Sequence, residues 1–259
     1  MTDQPRFAFG QNWREFSTTL NDAALQDARR HVAALLESCS PAHRDSFLDV
    51  GCGSGLFLLA ARDHFARVTG FDYDPVCVET SRDNVGRFSA GEGEVTLLRG
   101  DALDATFQEG LGRFDCVYAW GSLHHTGEMW KAVRLTAGRV APGGVLVLAL
   151  YNRHWSSPLW WYIKRLYVAS PGWLRRVLTG LTALAAIVAK GIHTRSNPLK
   201  QRRGMGFYHN MVDWVGGYPY EYASVREVVD FVEPLGFESV GVRPGDTPIA
   251  CNEFVFRRG

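Results

Sequence analysis

The chain predicts an α/β fold: a mostly parallel sheet of seven strands with helices on both faces, an antiparallel last strand and a helical insertion after strand five. Three observations carry this reading. The stretch FLDVGCGSG at 47–55 is an apolar run, an acidic residue and a glycine turn that opens a helix. A second apolar run ends on an acidic residue, Asp72. Beyond it, strand-like and helix-like segments alternate in the βαβ manner that builds a parallel sheet.

Residues 1–20 hold Phe7, Phe9, Trp13 and Phe16 at mixed spacing, and 22–36 reads as an amphipathic helix with Ala and Leu on one face. Residues 1–45 are therefore an N-terminal helical cap, either covering the sheet edge or forming a lid. Strands are expected near 46–50, 67–71, 94–98, 114–119 and 145–150, and helices near 55–65, 75–87, 128–139 and 224–235. Asp74-Pro75 is a helix start with proline in the first turn. The last helix leads to strands at 237–242 and 253–256. The core thus comprises 46–150 and 223–259, and 151–222 is inserted between its halves.

The insertion holds five of the eight tryptophans: Trp155, Trp160, Trp161, Trp173 and Trp214. Segments 159–168 and 173–190 look helical. Its longest uncharged run, 177–189, is thirteen residues, short of the roughly 20 that span a bilayer. A net charge of +1 conceals an uneven distribution, because the 84 residues 129–212 contain thirteen Lys or Arg and no Asp or Glu. This basic, aromatic block is read as a substrate lid. Its segment 155–203 is a candidate for peripheral membrane contact, and phosphate binding to RNA is a weaker reading.

The five cysteines, Cys39, Cys52, Cys77, Cys116 and Cys251, are scattered and show no CxxC pairing. They fit a reducing compartment and argue against structural zinc. The N-terminus MTDQPRFAFG is too polar for a secretory signal, so a cytoplasmic protein is expected. The oligomeric state is not legible.

Chemistry concentrates at strand ends, where open α/β sheets bind their ligands. Glycines 51, 53 and 55 allow the tight turn and close backbone approach that brings N–H groups to a nucleotide-like ligand. The run GCGSG departs from the dinucleotide fingerprint GxGxxG, and Asp49 beside it would repel a pyrophosphate yet hold an ammonium group. S-adenosylmethionine (SAM) carries such an ammonium and no phosphate.

These residues, with Asp72, the Gly-Asp-Ala of 100–102 and the turn GSLHH at 121–125, resemble the class I, Rossmann-like SAM-dependent methyltransferases, over about 47–150 and again over 224–256. The resemblance implies SAM as cofactor, held by Asp49, Gly51, Cys52, Gly53 and Gly55 at the methionine part, Asp72 with Tyr73 at the ribose, Asp101 with Ala102 at the adenine, and Trp120 after strand four. His124 and His125 match the Leu-His-His segment of ubiquinone and menaquinone methyltransferases; His125, then His124, is the candidate general base. A near-neutral imidazole is expected there, although such a pair also serves as packing or a cap.

A second cluster, 206–221, contains WVGGYPYE. With the N-terminal FGQNW it resembles bacterial class I methyltransferases of poorly assigned substrate. Trp13, Tyr208, His209, Asp213, Tyr218 and Glu221 are the substrate-site candidates, with His209 and Asp213 on one helix face. A helix-to-sheet hydrogen-bond network is the alternative. No metal site is expected. Strand four lacks the Asn-Pro-Pro-Tyr or Asp-Pro-Pro-Tyr of nucleobase and glutamine methylation, so the expected acceptor is an oxygen, nitrogen or activated carbon of a small molecule, with no nucleic-acid partner. A membrane-surface lipid or quinone methyltransferase, an RNA methyltransferase and a non-catalytic SAM-binding protein are the alternatives.

Overall fold

The computed structural model describes residues 7–39, 41–88, 92–194, 207–245, 247 and 250–259; side chains at 185, 186, 188–194 and 207–210 are outside the description. Strands β1 (Ser46–Val50), β2 (Arg67–Asp72), β3 (Glu94–Arg99), β4 (Phe114–Trp120), β5 (Val140–Tyr151), β6 (Phe237–Arg243) and β7 (Cys251–Arg258) form one sheet in the order β3-β2-β1-β4-β5-β7-β6. The first five run parallel, and β7 lies antiparallel between β5 and β6. This is the sheet the alternating pattern predicts. The chain order reverses between β1 and β4, so their carboxyl ends border the crevice where such sheets take ligands.

Alternation along each strand assigns two cores. Phe47, Cys116, Tyr118 and Val147 face the side covered by α1 (Phe9–Ser17), α2 (Asp22–Cys39) and α3 (Leu56–Ala61). Leu48, Val50, Val117 and Leu148 face the other, packing with residues of α6 (Met129–Ala137) and α10 (Val225–Val232). Local signals set several helix starts. Asp74 caps α4 (Pro75–Arg87) through the Val76 N–H at 2.9 Å, with proline in the first turn. Ser224 and Glu227 form a capping box on α10.

Three departures from the sequence reading have a clear local cause. The helix expected over 55–65 closes at Ala61, because the chain tightens through His64 and Phe65 N–H bonds to the Ala61 carbonyl and returns Phe65 to the core. Strand β5 starts five residues early, at Val140, where it pairs with Phe114 before an irregular register carries it past Pro142 and Gly143. A six-residue helix, α5 (Ala105–Gly110), was not expected; it is too short for a hydrophobic period and is set by its Asp104 cap, which accepts from Phe107 N–H at 3.1 Å.

The insertion leaves β5 through α7 (Ser157–Ala169), α8 (Gly172–Thr194) and α9 (Phe207–Gly216), and an isolated bridge between Asn152 and Ala223 closes its base. A third apolar cluster, including Tyr151, Tyr167, Trp214, Tyr218 and Tyr220, joins it to the sheet end.

At the opposite end of the sheet, Asp115 fastens β1 to β4. Its Oδ2 accepts from the Asp45 and Ser46 N–H groups at 2.9 Å each and from Ser46 Oγ at 3.0 Å. Asp115→Ala leaves these donors without their acceptor and should lower unfolding free energy by about 1–3 kcal/mol. Chemical denaturation measures this, while SAM affinity should be unchanged because Asp115 lies at the amino end of β4.

Candidate functional site

The site starts where β1 ends. Gly51, Gly53 and Gly55 have φ values of 77°, 56° and 74°, the left-handed region that disfavours a side chain. A Cβ on Gly51 would lie 2.4 Å from Ser122 Cβ, so the glycine loop and the turn after β4 are in direct contact. The loop carbonyls are held from α4: Ser81 Oγ donates to Gly53 O at 3.0 Å and Asn84 Nδ2 to Ser54 O at 2.8 Å. Cys52 is a buried thiol beside Ser81, and burial raises its pKa, so it packs rather than reacts.

Two carboxylates sit at this loop. Asp72 Oδ2 accepts from Gly53 N–H at 3.0 Å and Oδ1 from Asp74 N–H at 2.9 Å. Asp49 is buried in β1. Burial, and secondarily the charge of Asp72, push its pKa up to about 8. Burial also raises that of Asp72 against its two backbone bonds. Among the described residues, neither is in an ion pair with a basic side chain. Two neighbouring acids without a cationic partner among the described residues suit a cationic ligand and oppose a phosphate. The donor set therefore fits the ammonium of SAM beside Asp49 and ribose hydroxyls at Asp72.

The remaining cofactor candidates spread along the crevice. Asp101 Oδ1 accepts from Leu103 N–H at 2.9 Å, which fixes the loop after β3. Ala102 packs beside Leu103 and Phe107 on the second core, with Phe107 edge-on to Phe71 at 5.1 Å. Tyr73 is half exposed. Trp120 stacks on Tyr118 at 5.5 Å and meets His31 of α2 edge-on at 5.0 Å.

The N-terminal segment crosses this crevice. Gly10 N–H donates to Asp74 Oδ2 at 2.9 Å, and Asn12 Nδ2 to Asp213 Oδ1 at 3.3 Å. The Trp13 ring covers Gly53, 3.1 Å from where a Cβ would stand. Trp13 thus lies on the glycine-loop side of the crevice. Phe7 N–H donates to Tyr218 O at 3.0 Å, and Phe9 packs on His125 at 4.8 Å.

Both histidines occupy a single 3-10 turn, Leu123–His125. His124 is buried, lies 3.9 Å from the Tyr151 ring and accepts the Tyr151 N–H at Nδ1. His125 Nδ1 lies 2.8 Å from Pro219 O; donation to that carbonyl leaves Nε2 as an acceptor. Burial, and then the charge of Lys164, push the His125 pKa down to about 3, and the same causes with His125 lower that of His124. The near-neutral imidazole expected from sequence is therefore corrected: both rings are neutral at physiological pH.

The structure adds a residue that the sequence reading passed over. Lys164 of α7 is fully buried, bonded to the Trp214 carbonyl, and surrounded by the rings of Trp214, Tyr220 and Tyr151 at 4.5, 4.8 and 5.2 Å. Burial lowers its pKa to about 7 against the opposing charge of Asp213, whose own carboxyl burial raises to about 6. On a helix rich in Trp and Tyr and next to Arg165, the one-dimensional signal of Lys164 is that of a surface base.

Asp213 and Lys164 adjoin the histidine turn. Tyr218 is buried against Trp161 at 6.1 Å. Glu221 caps α6: both its oxygens lie 3.0 Å from Met129 N, while its own N–H donates to His124 O. Tyr208 and His209 fall in α9, with side chains outside the described residues. Beside the turn is a cleft of about 300 Å³ walled by Gly127, Trp161, Arg165 and 218–221. Among the described residues no group of three His, Cys, Asp or Glu is placed to hold a metal ion.

The charge arrangement makes a test. From pH 5.5 to 7.5, below the roughly 8 of the ligand's own α-amino group, Asp49 is protonated in the free protein, its pKa being about 8. A neighbouring ammonium lowers that pKa, so binding releases a proton and SAM affinity should rise with pH, by up to about tenfold per unit. In calorimetry Asp49→Asn should lose this slope, and Asp72→Ala should cost about 1–3 kcal/mol of binding. A flat wild-type profile would remove Asp49 from the ammonium site.

A family model described as a methyltransferase domain matches residues 24–180. The 27-O-demethylrifamycin SV methyltransferase of Amycolatopsis mediterranei is 30% identical over 139 residues, 52% of this chain and 48% of its own. The ubiquinone biosynthesis O-methyltransferase of Xanthomonas axonopodis pv. citri is 26% identical over 225 residues, 85% of this chain and 84% of its own. The chain spans about half the length of the first curated relatives it matches. In fold it is similar to magnesium protoporphyrin IX methyltransferase from Synechocystis PCC 6803 with bound SAH, at a TM-score of 0.55 and 15% identity, over 92% of this chain and 84% of that one. The matched domain occupies more than half of the sequence and contains the glycine loop with both carboxylates, and the chain belongs to the class I SAM-dependent methyltransferases.

Proposed function

We propose that this protein moves the methyl group of SAM to an oxygen, nitrogen or activated carbon of a small-molecule acceptor that enters beside the histidine turn. The observation that carries the reading is the cleft walled by Trp161, Arg165 and 218–221. It adjoins the turn whose Ser122 packs on Gly51 and donates to Val50 O at 2.6 Å. Aromatic walls with one guanidinium suit a flat ring bearing a hydroxyl or an acidic group.

Bound SAM supplies an electrophilic methyl group for in-line displacement. The protein's part is alignment and, for a hydroxyl acceptor, proton removal. In this reading Asp49, Asp72 and the glycine loop hold the cofactor, and Trp13 closes over the loop. The neutral His125 ring, fixed through Pro219 O, offers Nε2 to the acceptor's proton. A pKa of about 3 makes it a weak proton store, so its contribution is orientation and transient acceptance. His124 holds the turn to Tyr151, while Asp213, Tyr218 and Glu221 shape the acceptor side with Lys164 behind them.

Incubation with methyl-labelled SAM and a metabolite extract identifies the acceptor; absence of any labelled product across extracts would leave a SAM-binding protein and overturn the proposal. With the acceptor in hand, Trp161→Ala should raise its KM about tenfold or more and leave SAM affinity unchanged. For a hydroxyl acceptor, His125→Ala should lower turnover about 10²-fold, the lower end of the general-base range. Because the ring stays neutral above pH 4, the variant should keep whatever pH limb the wild type shows near 6.5. Unchanged turnover would assign the pair to packing.

A further inference from the structure

The two long helices of the insertion leave apolar faces that no described residue covers. On α7, Leu159, Tyr162 and Leu166 recur at helical spacing and are each more than half exposed, with Trp155 just before the helix 84% exposed. On α8, Trp173, Val177, Leu181 and Leu184 repeat the pattern, Trp173 at 67% and Leu181 at 60%. Both rows sit at i, i+3 or i+4 spacing, so each is one face of its helix. The helices adjoin: Tyr167 Oη and Thr179 Oγ1 are 3.2 Å apart, and Arg175 donates to Tyr167 O and Val168 O at 3.1 and 2.7 Å. Apolar exposure concentrated in one place on a surface marks an interaction site.

The charge around these faces selects the partner. Arg165 and Arg176 are exposed on the same two helices, and no Asp or Glu occurs anywhere from 129 to 212. A second copy docking face to face would bring the same cations together with no local acid to pair them. Nucleic acid would meet the arginines but leave Trp155, Trp173 and the leucines without apolar partners. An anionic bilayer satisfies both components at once: headgroups pair the arginines, while Trp, Tyr and Leu enter the interfacial layer. Among the described residues no helix is long and apolar enough to cross a membrane, so the helices lie on the surface.

We propose that α7 and α8 dock this protein peripherally on anionic lipid bilayers, with their Trp and Leu faces in the headgroup region. The proposal rests on this surface alone and stands independently of the acceptor. The cleft shares α7 with the docking face through Trp161 and Arg165, which places the acceptor entrance close to the lipid.

Flotation of the full chain with phosphatidylcholine vesicles containing 30% phosphatidylglycerol, against pure phosphatidylcholine, tests it. The protein should float with the anionic vesicles only, and binding should fall several-fold on raising salt from about 0.1 to 0.5 M. The double variant Trp173→Ser/Leu181→Glu should lose flotation at least tenfold, and Arg176→Glu severalfold. Unchanged SAM affinity and thermal midpoint show that these variants fold, so loss of flotation reports the surface rather than the core. Failure of the wild type to float, flotation unaffected by the double variant, or a wild-type dimer dissolved by that variant without vesicle binding would each overturn the proposal. Binding to tRNA in place of vesicles at the same salt would do so as well.

Discussion

The site depends on a pair of acids, Asp49 and Asp72, kept close together at the end of β1 with no basic side chain paired to either among the described residues. Burial raises both pKa values, with the charge of Asp72 adding to it at Asp49 and that of Asp74 at Asp72, an unfavourable arrangement that a cationic ligand relieves. The backbone around them is built to hold this state. Gly53 and Asp74 N–H groups bind Asp72, and α4 side chains bind the loop carbonyls. Positive φ at three glycines lets the loop double back closely enough to touch the turn after β4. In the proposed reading, affinity for the cofactor and a charge preference against dinucleotides come from this one local arrangement.

The N-terminal segment reaches all parts of the site. Over a few residues it contacts α4 through Gly10, the glycine loop through Trp13, α9 through Asn12, the histidine turn through Phe9 and the segment around Tyr218 through Phe7. Most of these contacts are single hydrogen bonds or ring edges, each contributing on the order of 1 kcal/mol. Phe16, buried in the first core with Trp13 packed against the same cluster, anchors the segment to the sheet.

Inside the insertion, the aromatic cage around Lys164 joins α7 to β5, α9 and the segment before α10. A buried ammonium is costly unless paired, and here ring faces, the Trp214 carbonyl and the nearby Asp213 share the compensation. Burial first, and the Lys164 charge after it, lower the pKa values of the histidine pair. The histidine turn is therefore electrostatically coupled to the packing of the insertion.

Much of this was legible in the one-dimensional pattern, for a physical reason. The glycine loop, Asp49, Asp72 and the alternation of strands and helices are local: each depends on residues within one βα unit, so spacing and residue type suffice. The antiparallel last strand was expected with the fold class, whereas the strand order and the place of β7 between β5 and β6 came from the tertiary structure. Short or irregular pieces were not legible, such as α5, where one cap rather than a period decides the helix, and the early start of β5. The tertiary structure alone decided the state of the side chains. Glu221 stood out as a polar residue near an acceptor site, but only the fold shows it capping α6 from 92 residues away. His125 read as a near-neutral base until burial and Lys164 were placed against it. Lys164 read as a surface base and Asp115 as an ordinary strand residue, since burial and long-range partners depend on contacts far apart in the chain, to which a periodicity is blind.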